Sequence, residues 1–274
     1  MAKACHGTGI ENITEYIMRN RVKQLLRDGQ KTSGAWLQLT STFSAEIMAR
    51  AGFDWLIVDL EHAPGDLMNL AAQLQAMSCT DCVPFVRAPW NDAVAIKRIL
   101  DTGVMGVLVP YVNSAEEAAA AVAACKYPPK GVRGVAASPR AATFGQNSME
   151  YLQSANDEIV IFTAVETAEA VANLDDILQV KGLDGIFIGP MDLATSMGHF
   201  GNAAHPEVQE AISIVEQKTL ASEKALGTVA GSWQQAVVKY EKGYQFLMLM
   251  SDSVGLAGLA AETVNSFNSE YRRS

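Results

Sequence analysis

The sequence predicts an α/β fold, a closed (β/α)8 TIM barrel. Three observations lead there. Eight short apolar runs recur along the chain, helix-length segments separate them, and no polar linker is long enough to divide domains. Regular alternation of strand and helix implies a parallel sheet, and eight such units in 274 residues imply closure. A doubly wound open sheet is the alternative, but no GxGxxG follows the first strand. Residues 1–274 are therefore read as one barrel domain, with 1–30 as an N-terminal helical extension.

The elements follow in order. Ile13, Ile17, Val22, Leu25 and Leu26 fall at helical spacing, and Asp28-Gly29 stops that run. The first strand is expected over residues 34–39 (GAWLQL), then a helix over 44–51 and a second strand over 54–60. Pro64 and Gly65 turn the chain into a helix whose apolar face is Leu67, Leu70, Leu74 and Met77. The third strand spans 83–87, and Asn91 is expected to cap the helix that carries Val94, Ile96, Ile99 and Leu100. Strand four, 104–109, stops at Pro110, and Ser114 with Glu117 forms a capping-box pattern before an alanine-rich helix to Cys125.

Residues 127–157 read as a long irregular connection, a length that is usually functional or mobile. Strands five to eight are expected at 159–165, 185–188, 226–230 and 245–250, with helices at 168–180, 206–224 and 234–242 between them. A last helix covers 254–271.

Composition narrows the function classes. Hydrophobic residues make up 49% and charged residues 19%, which supports a large core and excludes disorder. A net charge of −9 without a basic cluster argues against nucleic-acid or anionic-membrane partners. No run is long enough to span a bilayer, and MAKACHGTGIENITEY lacks the apolar core of a signal peptide, so a soluble, cytoplasmic protein is expected. Cys79 and Cys82 spell a CxxC, but a zinc site would need a second ligand pair nearby. They are read as thiols.

In a barrel, residues that follow the strands collect at one end. Here they are Asp59, Glu61 and His62 after strand two, Arg87 after strand three, Glu166 after strand five and Asp192 after strand six. Taken singly, such acids read as helix caps or surface turns. Asp59, however, sits in an apolar strand, where an uncompensated charge is costly, so it needs a partner: His62 or a metal-bound water. Two carboxylates from different strands suit a small hard cation, and an arginine beside them suits an anionic substrate. His62 is the only histidine at a strand end and the natural acid–base group. No lysine closes a strand, no GxSxG occurs and no cysteine ends a strand, so Schiff-base and acyl-enzyme chemistry lack their nucleophiles.

AGFDWLIVDLEHAP, FVRAPWND, YPPKGVRG, VET and DGIFIGPMDLATSMG, in this order and spacing, resemble the class II pyruvate aldolases, the 4-hydroxy-2-oxoheptanedioate and 2-dehydro-3-deoxyglucarate aldolase type. The resemblance spans residues 34–254. It implies a divalent metal (Mg²⁺, Mn²⁺ or Co²⁺) held by Glu166 and Asp192, and no organic cofactor. It implies His62 as the catalytic histidine, Asp59 as the acid of the same motif, and Arg87 as the arginine that holds a 2-oxo acid. Asp101 matches an acid that reaches a neighbouring subunit's site. Gly189 and Pro190 match the carboxylate-binding backbone, Arg140 an arginine for the far end of the aldehyde, and Trp36 a further substrate contact. It also implies a homohexamer, a trimer of dimers exchanging C-terminal helices.

Two departures bear on this. The family usually carries Gln two residues before the metal-ligand Glu, where this chain has Ala164. Strand seven ends TVAGSW, where relatives are more apolar. The expected activity is a metal-dependent aldolase joining or cleaving a 2-oxo acid enolate and an aldehyde. The alternatives are oxaloacetate decarboxylation, a macrophomate-synthase-like use of the same enolate, and a non-catalytic metabolite-binding barrel.

Overall fold

In the computed structural model of the protein, which describes residues 19–272, eight parallel strands close on themselves in sequence order. They are β1 (Thr32–Leu37), β2 (Trp55–Asp59), β3 (Val83–Arg87), β4 (Gly106–Val109), β5 (Val160–Val165), β6 (Gly185–Ile188), β7 (Ala225–Val229) and β8 (Phe246–Ser251). Strand β8 pairs in parallel with β1 to close the ring. The strands are buried on both faces, as the near-continuous apolar runs require.

Alternate residues point inward, and their sizes are matched. Gly34, Gly106 and Gly185 face Trp55, Phe85 and Phe162; a Cβ at these glycines would lie 2.3, 2.1 and 2.3 Å from ring atoms. Only glycine leaves room for the rings. Trp55 then stacks on Phe246 with centroids 3.6 Å apart, and Phe162 stacks on Phe246 at 4.5 Å. This aromatic layer fills the lower barrel, beneath the cavity at the C-terminal strand ends.

Beneath that layer, α1 (Arg21–Arg27) plugs the opposite end with buried Val22 and Leu26. Asn20 caps α1 by accepting from the Val22 and Lys23 amides, and the buried Lys23 ammonium donates to Ile159 O at 2.6 Å. The expected helical residues Ile13 and Ile17, and most of the 1–30 extension, lie outside the described residues.

Helices between strands lie at α2 (Thr42–Arg50), α3 (Leu67–Met77), α4 (Ala93–Asp101), α5 (Ala115–Cys125), α6 (Ser148–Glu158), α7 (Ala168–Ala172), α8 (Leu174–Leu178), α9 (Pro190–Ser196), α10 (Pro206–Leu220) and α11 (Trp233–Lys242). Four expectations need correction. Asp92, not Asn91, caps α4, accepting from the Ala95 amide at 2.7 Å, while Asn91 donates to Glu117 O. The connection over 127–157 is not irregular throughout: it holds a 3-10 turn, Arg140–Gly145, and all but the last residue of α6, which buries Tyr151 and Ala155 one turn apart. The helix expected over 168–180 breaks at Asn173 into α7 and α8. Helix α9, opened by Pro190 at its first position, follows β6 where no helix was read.

The last helix, α12 (Asp252–Tyr271), leaves the barrel at β8. Of its 20 residues only Asp252 is buried, and Val254, Leu256, Leu259, Val264 and Phe267 are exposed. Among the described residues no helix is long and apolar enough to cross a membrane. No disulfide joins the described cysteines, and burial pushes the Cys82 thiol up to about 12.

Candidate active site

Register places the first pair of charges. Along β2 and β3 the Cα partners run Trp55 with Val83, Ile57 with Phe85, and Asp59 with Arg87. Two side chains that end adjacent strands on the inward face must therefore meet. Arg87 Nε donates to Asp59 Oδ1 at 2.9 Å and Nη2 to Oδ2 at 2.6 Å, a two-pronged pairing that matches the flat guanidinium to the carboxylate. Gln38 Nε2 donates to Asp59 Oδ2 at 3.0 Å, and Ser251 Oγ donates to Gln38 Oε1 at 2.8 Å. Burial alone would raise the Asp59 pKa, but the Arg87 hydrogen bonds and charge, with Gln38 and the His62 amide, hold it below the usual range. The guanidinium also lies over the Trp36 ring, 4.3 Å from its centroid.

Asp59 also shapes the turn that follows it. The Glu61 and His62 amides both donate to Asp59 Oδ1, at 3.1 and 3.2 Å. The expected partner of Asp59 thus changes: it is Arg87, and His62 reaches it only through its backbone. Glu61 is more than a surface acid. Its Oε2 lies 3.1 Å from Arg87 Nη1 and 3.8 Å from His62 Nε2, and burial raises its pKa. The His62 side chain is 59% exposed, at the rim.

Across the barrel mouth, Glu166 follows β5 and is buried. Its Oε1 accepts from the Tyr111 amide at 2.7 Å, presented by a backbone held at φ 51°. A Cβ on Gly189 would stand 2.6 Å from Glu166 Oε2, so glycine is what leaves the space beside that oxygen open. Burial pushes Glu166 up to about 7, opposed by the Tyr111 amide and reinforced by the charges of Glu61 and Asp192. Asp192, in the first turn of α9, makes no hydrogen bond or ion pair among the described residues. Trp36, Arg87, Ala164, Glu166, Phe187 and Asp192 line one cavity of about 150 Å³, with Gly189 and Pro190 at its edge.

The donor set fits a small divalent cation. Three carboxylates, Glu61, Glu166 and Asp192, stand near one another against the single charge of Arg87, and Glu166 feels the other two. All are hard oxygen donors, without imidazole or thiolate among the buried groups, which suits Mg²⁺ or Mn²⁺ better than zinc.

Two expected site residues lie elsewhere in the chain. Asp101 closes α4, at the far end from Arg87, and accepts from Arg133 Nη2 at 2.7 Å. Arg133 is buried between Tyr127 and Tyr151. Arg140 Nη1 donates to Thr102 O at 2.7 Å, in the same region. Neither lines this chain's cavity. Sequence reasoning missed Gln38 and the Tyr111 amide. A lone Gln closing the apolar run GAWLQL was the available signal for the first; a backbone donor leaves none.

The chain matches the model of the HpcH/HpaI aldolase/citrate lyase family over residues 32–257. A 4-hydroxy-2-oxo-heptane-1,7-dioate aldolase from Escherichia coli is 43% identical over 253 residues, 92% of this chain and 97% of the relative. One from Klebsiella pneumoniae is 44% identical over 240 residues, 88% of this chain and 91% of the relative. The crystal structure of an HpcH/HpaI aldolase/citrate lyase family protein from Burkholderia cenocepacia superposes with a TM-score of 0.87 at 36% identity, covering 91% of this chain and 99% of that one. With the family model matched over most of its length and the same barrel in a solved relative, the chain belongs to the HpcH/HpaI aldolase/citrate lyase family.

Proposed function

We propose that the protein is a divalent-metal-dependent aldolase, a carbon–carbon lyase that joins or cleaves the bond between the enolate of pyruvate, or a related 2-oxo acid, and an aldehyde. The observation that carries this reading is the placement of the anchored Arg87 opposite Glu166 and Asp192 in one small cavity. A volume of about 150 Å³ suits a short acid, not the roughly 300–1,000 Å³ of a drug-sized ligand.

Glu166 and Asp192 would hold the cation, which supplies charge stabilisation at the carbonyl and carboxylate oxygens of a 2-oxo acid. Arg87 has Nε and Nη2 on Asp59 and Nη1 beside Glu61, and its remaining N–H groups would serve the enolate oxygen in the cavity it lines. The edge on Asp59 costs no reorganisation during the reaction, because Gln38 and Ser251 already hold the acid. The Gly189 amide is taken by Val165 O and Pro190 has none, so the first-turn amides of α9 beyond Pro190 would meet the substrate carboxylate. His62, beside Glu61 at the rim, moves the proton at the aldehyde-derived hydroxyl.

The same reading makes the assembly a homohexamer, in which Asp101 reaches a neighbour's site and α12 is exchanged. The apolar residues that α12 exposes support it. The reading further takes the whole chain as one barrel domain in the cytoplasm. Its test is retro-aldol cleavage of a 4-hydroxy-2-oxo acid, followed by pyruvate release with Mg²⁺ or Mn²⁺ and with EDTA. Release that ignores EDTA contradicts it.

A further inference from the structure

A second set of donor atoms collects where α9 hands over to α10. His199 and His205 stack ring on ring, with centroids 3.5 Å apart and 14° between planes. His199 Nε2 lies 2.9 Å from Glu207 Oε2, and one ligand atom from each of the three residues falls within 4.8 Å of the others. We propose that His199, His205 and Glu207 form a binding site for a divalent transition cation of the zinc class, separate from the carboxylate cavity.

The turn that carries them is built. The His199 amide donates to Ala194 O, the Asn202 amide to His199 O and the His205 amide to Asn202 O. Gly201 takes φ 72°, which lets the chain double back between the two histidines. The Glu207 amide donates to His205 Nδ1 at a long 3.3 Å, so Nδ1 carries the ring's lone pair and is the atom that would exchange this weak cap for a cation.

An ion pair and a helix cap account for each contact taken singly; the convergence of two imidazoles and a carboxylate on one turn is what points to a cation. A cation held here would be bound through one lone-pair nitrogen of each ring. Ligands about 2.0–2.1 Å from a tetrahedral ion stand roughly 3.3 Å apart. Closing from 4.8 Å needs a shift of about 1.5 Å together with rotation of the two rings out of their stack, which partly exposed side chains can make. Two imidazoles and one carboxylate leave a fourth position for water, and imidazole selects Zn²⁺, Co²⁺ or Ni²⁺ over Mg²⁺. Occupancy would tie the far end of α9, whose first turn carries Asp192, to α10.

The proposal does not depend on the aldolase reading, and its test is a count of ions. Zn²⁺ bound by the full chain is measured by equilibrium dialysis in excess Mg²⁺, in a Glu166→Gln/Asp192→Asn background that removes the cavity's carboxylates from the count. His199→Ala and Glu207→Gln are then compared in that background, with thermal melting as a check that each variant is folded. We expect either change to remove one Zn²⁺ per chain, or to weaken it at least about tenfold. The near-isosteric Glu207→Gln carries the test if His199→Ala does not fold. An unchanged count in a folded variant, or no Zn²⁺ bound by the background protein, overturns the proposal.

Discussion

Asp59 and Arg87 are register partners at the ends of β2 and β3, joined by hydrogen bonds of 2.9 and 2.6 Å while Asp59 is wholly buried. The pair is a frame for the cavity as well as a contact, because the turn through Glu61 and His62 hangs on the same carboxylate.

Removing Arg87 therefore has two costs. Arg87→Ala leaves a buried carboxylate without its counter-charge, expected to destabilise the fold by about 3–5 kcal/mol. Arg87→Lys keeps a charge but loses the planar fork, so it should melt closer to the parent and still lose roughly 10²–10³ in turnover. Thermal melts and kcat measured side by side test this. An Arg87→Ala variant with an unchanged Tm would contradict the assigned partner of Asp59.

Glu166 gives a pH dependence with a definite sign. Its carboxyl is raised from an ordinary 4.5 to about 7 in the folded protein. The unfolded chain thus ionises first, and metal-free stability should fall as pH rises from about 4.5 to 7, by roughly 3 kcal/mol, then level off. Metal binding runs the other way: Mn²⁺ affinity should rise about tenfold per pH unit below 7 and flatten above it. Urea titrations of the metal-free protein and Mn²⁺ binding isotherms read the two trends, and Glu166→Gln should abolish the first.

Ala164 sits in the cavity wall, nearly fully buried. Ala164→Gln places an amide where the family usually has one and narrows the space for a substituent on the 2-oxo acid. The ratio of kcat/KM for pyruvate over 2-oxobutanoate should rise about tenfold or more, the usual discrimination for one methylene. An unchanged ratio would put the substrate's C3 elsewhere.

Asp101 and α12 test the shared assembly. If Asp101 serves a neighbour's site, co-expressed Glu166→Gln and Asp101→Ala chains, each inactive alone, should recover activity in mixed oligomers. Deleting the chain after Gly255 should lower the assembly size in light scattering. Activity in a monomer, or no recovery on mixing, rules out the shared site.

Much of this was legible in the chain. Eight apolar runs gave the barrel and its strand order, and the charged residues ending those runs gave Asp59, Arg87 and Glu166. What could not be read was who meets whom. The pairing of Asp59 with Arg87 depends on register between strands 28 residues apart, and spacing alone favoured the nearer His62. Helix α6 escaped because only Tyr151 and Ala155 mark its buried face. Gln38 was passed over because an uncharged amide carries no acid–base signature, though it holds Asp59 in place. The resemblance puts Asp101 at a neighbouring subunit's site, not this chain's; α4 carries it away from the cavity here, and Arg140 lies beside it.

The central claim is enolate chemistry at a metal held by Glu166 and Asp192, and one measurement addresses it without a choice of aldehyde. Pyruvate is incubated with the protein in D₂O and its C3 protons are followed by NMR, with Mg²⁺ or Mn²⁺ and then with EDTA. We expect exchange that needs the metal and disappears in Glu166→Gln. Exchange that persists in EDTA or in Glu166→Gln, or no exchange with either metal, would contradict it.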